Sequence, residues 1–234
     1  MAKLRIDIVT PLPNLLESHF GDSILKRAQD KNIVEVEIHN LRDYSTDKHK
    51  KVDDYQYGGG AGMVMTPQPL ADCLDALLAK RSYDEIIYMT PDGEQLNQGI
   101  SNQLSSFESI LMVCGHYKGI DQRIRDKYIT REISIGDYVL TSGELAATVL
   151  SDSIIRLVPG VLGNETSALS DSFMDDLLAP PVYTRPANFR GLEIPPILVS
   201  GHEAKVEQWR FEQSQERTKQ RRPDLYKKWE EKNA

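Results

Sequence analysis

Apolar positions change their spacing several times along the 234 residues, and each change marks an element. Leu4–Thr10 reads as a short strand, and Asn14–Lys31 as an amphipathic helix with a break at Gly21. Val34, Val36 and Ile38 alternate with Glu35, Glu37 and His39, so this strand has one wet face and belongs towards a sheet edge. A polar loop follows over 41–62, then a helix over about 68–81. Glu85–Thr90 and Ser109–Gly115 are apolar without alternation, as in strands covered on both faces, and a helical stretch near 96–106 separates them. Leu145–Leu157 is apolar around most of its circumference, which predicts a helix buried on several sides, a second subunit being one way to cover it. Alternating strands and helices predict an α/β domain with a largely parallel sheet.

The texture changes after Pro159. Pro159, Pro180, Pro181, Pro186, Pro195 and Pro196 crowd residues 159–201, which excludes long helices there and predicts linker and irregular structure. Two helices follow, over about 203–220 with Val206 and Trp209 on one face, and over about 223–232 with Leu225 and Trp229.

Composition narrows the class of protein. The chain is 40% hydrophobic and 27% charged, as an ordinary globular protein is. No apolar run approaches the roughly 20 residues that cross a bilayer, and the first residues lack a signal peptide's apolar stretch, so a cytoplasmic protein off the membrane is expected. Two cysteines, Cys73 and Cys114, are too few for a disulfide framework or a Cys-rich metal site. The histidines His19, His39, His49, His116 and His202 show no metal-ligand spacing and read as surface or satisfied core residues. The net charge of -7 is unevenly spread: 205–228 holds eight Lys/Arg against four acids, which leaves -11 for the rest. A basic tail on an acidic body either grips a polyanion locally or is a solvated helical face.

Candidate chemistry gathers in loops after the buried strands, where ligands of open α/β sheets bind. These are Thr90-Pro91-Asp92-Gly93, Gly115-His116-Tyr117-Lys118-Gly119 and Ile135–Gly143. Their glycines permit close backbone approach, and their amides and carbonyls suit a small cofactor's adenine edge; tight turns would explain each loop taken alone. Tyr57-Gly58-Gly59-Gly60-Ala61-Gly62 is neither a P-loop, lacking Gly-Lys-Ser/Thr, nor a dinucleotide fingerprint, Met65 breaking the spacing. Cys114 two residues before His116 suggests a nucleophile and base, although a small buried apolar side chain reads better, and Ser142 lacks the frame of a nucleophile elbow. Arg156 ends the apolar helix and needs an anion or polar partner. Asp171, in Ser-Asp-Ser before Phe173, reads equally as a catalytic acid or as the cap of a helix over Phe173–Leu178.

With those residues in view, the chain resembles the bacterial tRNA (guanine-N1)-methyltransferase family, TrmD, of the SPOUT superfamily. The likeness is nearly full length. It runs through Arg42-Asp43-Tyr44, Val52-Asp53-Asp54, Tyr57-Gly58-Gly59-Gly60 and Cys114-Gly115-His116-Tyr117-Lys118-Gly119-Ile120-Asp121. It continues with Ser134-Ile135-Gly136-Asp137-Tyr138-Val139-Leu140, Pro159-Gly160-Val161-Leu162, Asp171-Ser172-Phe173, Tyr183-Thr184-Arg185-Pro186 and Arg221-Arg222-Pro223. No single motif matters as much as the ordered set.

The resemblance implies an α/β domain with a deep trefoil knot over 1–162, a flexible linker over 163–176 and a helical tRNA-binding domain over 177–234. It implies a homodimer whose active site is shared between subunits. S-adenosylmethionine would lie against Tyr88, Met89, Thr90, Pro91, Gly115, Tyr117, Gly119, Ile135, Gly136, Asp137, Tyr138, Val139 and Leu140. The acceptor would be N1 of guanosine 37 of tRNA, preceded by a guanosine at 36, a modification that supports reading-frame maintenance. Asp171 would take the N1 proton and Arg156 would stabilise charge on O6. Arg185, Arg217, Arg221 and Arg222 would hold the tRNA. Six positions depart from the common pattern: His116 stands for Arg, Lys118 for Glu, Ser142 for Gly and Ala146 for Pro, and Met89 and Asp92 alter the first loop. The family's Mg²⁺ is associated with that Glu, so Lys118 counts against a metal there, and no metal ligand is assigned. A nucleotide-dependent enzyme of another class and a non-catalytic RNA-binding module are the competing readings.

Overall fold

The computed structural model describes residues 3–163 and 171–233. The chain divides into two compact units, Met1–Glu165 and Thr166–Ala234. The first begins with β1 (Leu4–Thr10), α1 (Asn14–Phe20), α2 (Ser23–Asp30) and β2 (Val34–Asn40). A short hairpin, β3 (Asp53–Tyr55) and β4 (Met63–Met65), leads to α3 (Pro67–Leu78) and β5 (Glu85–Gln95). Then come α4 (Gln98–Leu104), β6 (Ser109–Cys114), α5 (Gln122–Tyr128), β7 (Arg131–Ser134) and α6 (Glu144–Ile155). The five long-range strands pair in parallel in the order β2-β1-β6-β5-β7.

Sheet position explains the two kinds of strand pattern. β6 and β5 lie inside the sheet, and their side chains feed two cores in turn. Ile87, Met89, Ile110, Met112 and Cys114 join the core with α1, α2, α4 and α6. Ile86, Tyr88, Leu111 and Val113 join the opposite core with α3 and α5. Both faces are covered, so apolar residues run unbroken. β2 is an edge strand, and Glu35 and Glu37 face water.

Most expected elements form, with differences that have local causes. Gly21 does separate two helices, and Asp22 caps the second by accepting from the Ser23 amide at 2.6 Å. The polar loop over 41–62 contains β3, and Thr90–Gly93 is a bulge within β5 rather than a loop beyond it, since pairing with β7 shifts register between Met89 and Glu94. α5 and β7 escape the pattern because each is short and shows few apolar residues, Ile124 and Tyr128 in one and Ile133 in the other. α6 buries Ala147, Leu150, Ile154 and Ile155 within this chain, while Leu145 and Val149 remain 57% and 47% exposed.

Half of the expected linker, 163–176, falls on 164–170, outside the described residues. In the second unit the Pro-rich region contains a hairpin, β8 (Asn188–Phe189) and β9 (Leu192–Glu193), whose Arg190-Gly191 turn has φ of 56° and 83°. Two helices follow, α7 (Glu203–Arg221) and α8 (Pro223–Asn233). Trp229 on α8 packs 6.0 Å from Phe211 and 5.8 Å from Tyr226, measured between ring centroids. Buried Thr218 donates to Ser214 O at 2.6 Å and accepts from the Leu178 amide at 2.8 Å, tying α7 to the chain before it.

Candidate active site

The bulge of β5 and the carboxyl ends of β6 and β7 surround a cavity of about 440 Å³. The three segments expected to converge do reach it, Gly115–Gly119 and Ile135–Gly143 as loops after strands and Thr90–Asp92 as the bulge inside β5. The loops are fastened backbone to backbone. The Gly143 amide donates to Gly115 O at 2.8 Å, and His116 pairs with Ser142 in an isolated antiparallel bridge. A Cβ on Gly143 would lie 2.7 Å from the Gly115 nitrogen, so this approach requires a glycine. Gly136, with φ of 149°, lets the third loop turn while the Tyr138 ring packs over it.

The wall carries both apolar and polar groups. Tyr88, Met89, Thr90, Pro91, Gly115, Tyr117, Gly119, Ile135, Gly136, Tyr138, Val139 and Leu140 line the cavity, whereas Asp137 points to solvent and does not. Arg125, on the helix the sequence pattern missed, also lines it. Its guanidinium sits 5.3 Å from the Tyr88 ring centroid and bonds Glu132 at 2.6 Å and Asp92 at 2.7 Å. That bond, helped by Thr90, holds the Asp92 carboxyl below the ordinary carboxylate range, while burial pushes the Tyr88 phenol up. The signal that could have found Arg125 is its spacing from Asp121, the residue that caps α5.

Cys114 is fully buried and does not line the cavity. Burial, with the Glu144 charge added, pushes its thiol well above the ordinary range, so it stays protonated and is no nucleophile. His116 lines the cavity with its side chain 18% exposed.

The remaining site candidates are spread over both units. Arg156 stands at the C-terminal cap of α6, half-buried, in the first unit. Asp171 is half-buried in the second unit, and residues 172–177 after it form turns, with Phe173 and Asp176 at φ of 74° and 63°. No helix over Phe173–Leu178 exists for Asp171 to cap, which corrects that alternative. Arg217 and Arg221, four residues apart, share a face of α7, and Arg222 is held by Asp224 through bonds of 2.9 and 2.7 Å. Arg185 is exposed.

One histidine has unexpected company. His39 Nε2 lies 2.6 Å from buried Asp7, and Glu37 completes three ligand-type atoms within 4.8 Å of one another. Arg5 occupies the middle of this group, 2.8 Å from Asp7 and bonded to Glu35 and Glu37. The cluster is an ion-pair network, and a cation already serves its acids.

The profile of a family described as tRNA (Guanine-1)-methyltransferase TrmD matches residues 4–228. The chain belongs to the TrmD family. Its relatives include a Flavobacterium johnsoniae protein named tRNA (guanine-N(1)-)-methyltransferase, 63% identical over 222 residues that cover 95% of this chain and 98% of that one. Proteins of the same name from Cytophaga hutchinsonii and Bacteroides thetaiotaomicron are 61% and 60% identical, covering 97% and 95% of this chain and 96% and 99% of theirs.

Proposed function

We propose that this enzyme transfers a methyl group from S-adenosylmethionine to N1 of guanosine 37 in tRNA, beside the anticodon, and so supports reading-frame maintenance. The observation that carries the reading is the family match through both units, residues 4–228. The cavity suits the donor: about 440 Å³ lies within the usual range for a cofactor site, and backbone groups of three loops face it. Bound there, the donor supplies an electrophilic methyl on sulfur, so no enzyme nucleophile is needed, in keeping with the inert Cys114.

The protein's task is then to prepare guanine. N1 carries a proton and attacks poorly until that proton leaves. Asp171 accepts it as general base, a role worth about 10²–10⁴-fold. Negative charge develops on O6, and Arg156 stabilises it. Arg156 and Asp171 come from different units, and the reading has the site completed across a homodimer. The exposed Leu145 and Val149 of α6, a helix that packs against α1, are apolar surface such a partner would cover. The deep trefoil knot belongs to the same reading. So do tRNA contacts from Arg185, Arg217, Arg221 and Arg222, with guanosines at 36 and 37 in the RNA. No helix among the described residues is long and apolar enough to cross a membrane, and a tRNA-modifying role places the enzyme in the cytoplasm. No residue is assigned to Mg²⁺.

The test is transfer of labelled methyl from S-adenosylmethionine to an unmodified transcript with guanosines at 36 and 37, and to one with adenosine at 37. Only the first should be labelled, at N1. Asp171→Asn should lose about 10²–10⁴-fold in kcat while still binding S-adenosylhomocysteine. Wild-type activity in that variant would remove the base assignment, and no product with wild-type enzyme would remove the function.

A further inference from the structure

The mechanism above leaves two buried polar atoms unused where the cavity loops join. Glu144, in the first turn of α6, is 0% exposed, and its Oε1 accepts a 2.5 Å hydrogen bond from Thr10 Oγ1 at the end of β1. Its Oε2 stands 3.9 Å from His116 Nε2, and neither atom has a hydrogen-bond partner among the described residues. That gap is about 1 Å longer than a hydrogen bond. Buried polar atoms are almost always paired, because an unpaired one carries its full desolvation penalty.

The two residues belong to different loops. His116 follows β6, whereas Glu144 directly follows the loop after β7, and the Gly143–Gly115 backbone bond is the pivot between them. Thr10 tethers the carboxylate to the sheet, so Glu144 is the fixed partner. The backbone of His116 is held by its bridge to Ser142, so the adjustable part is its imidazole, which turns about the side-chain torsions at the cavity wall. The His116 ring meets Tyr117 edge-on at 5.0 Å, a contact that travels with the same loop.

We infer that Glu144 is a positioning residue: an occupant of the cavity draws His116 onto its Oε2, and the bond so formed clasps the two loops around that occupant. The inference rests on the cavity being the S-adenosylmethionine site. It gives the unpaired atoms a partner in the filled state and makes loop closure part of the binding energy.

Calorimetry with S-adenosylhomocysteine on the full chain tests it, together with NMR of the histidine ring nitrogens, the His116 signals being those lost in His116→Ala. His116→Ala should weaken binding on the order of tenfold and raise KM for the donor, with unliganded thermal stability preserved. His116→Arg, which keeps a donor reaching Oε2, should restore affinity. The His116 ring nitrogens should shift on adding ligand. In a Glu144→Ala background, His116→Ala should cost nothing more; if that background fails to fold, the arginine rescue and the ring shifts decide. Unaltered affinity in His116→Ala, no rescue by arginine, or binding without a ring shift overturns the clasp alone. No binding by wild-type protein overturns the cofactor reading and the clasp with it.

Discussion

Replacing Gly143 with alanine would put a methyl group where the two cavity loops touch. The backbone there has φ of -81°, which any residue adopts, so the penalty is steric only. The added Cβ would meet Gly115 N at 2.7 Å, Cys114 Cα at 3.0 Å and the Cys114 carbonyl carbon at 3.2 Å. All three are backbone atoms of a buried strand end and cannot swing aside. Bringing the closest contact to ordinary van der Waals range means separating the loops by about 0.7 Å. Overpacking of this kind costs about 1–3 kcal/mol, or roughly 2–12 °C in Tm for a chain of this size. The same movement lengthens the 2.8 Å bond from the Gly143 amide to Gly115 O and widens the cavity. Thermal unfolding and S-adenosylhomocysteine calorimetry should therefore report lower stability and weaker binding together. Gly163→Ala is the control, since its Cβ meets no described atom within 4 Å, and it should stay within about 0.5 kcal/mol of wild type. A Gly143→Ala protein as stable as wild type, with unchanged affinity, would refute the claim that close approach of these loops shapes the site.

Asp7 sets a pH test. Burial works to raise its carboxyl pKa, but hydrogen bonds from His39 and Arg5 outweigh it and lower the value from 3.8 to about 2. A depressed folded-state pKa contributes stability above about pH 4 that is lost as pH falls towards 2, here about 2 kcal/mol. Urea unfolding should show wild type losing its advantage over Asp7→Asn across that window, and a constant difference would contradict the assignment. Replacing Arg221 and Arg222 together should weaken tRNA binding and flatten its dependence on salt, because each lost phosphate contact releases fewer counterions; an unchanged slope in a filter-binding titration moves the RNA footprint elsewhere. Cys114→Ala should keep most methyl-transfer activity, and loss of chemistry with intact cofactor binding would bring a covalent step back into consideration.

Hydrophobic spacing and turn residues determined much of this protein without help from the fold. The parallel-sheet class, the break at Gly21, the edge position of β2, the two terminal helices and the three glycine-bearing loops all follow from rules acting over a few residues. The ordered motifs identified the family, and with it the candidate roles of Asp171 and Arg156. Short elements such as α5 escaped, since two apolar residues make too weak a period, and Arg125 was hidden with it. Tertiary structure alone decided that Arg5 fills the Asp7–His39–Glu37 cluster, that the Leu145–Val149 stripe of α6 stays open within one chain, and that Glu144 faces His116. The physical reason is range: spacing and turn chemistry act along the chain, whereas burial and the pairing of polar atoms depend on which distant segments the sheet order sets side by side.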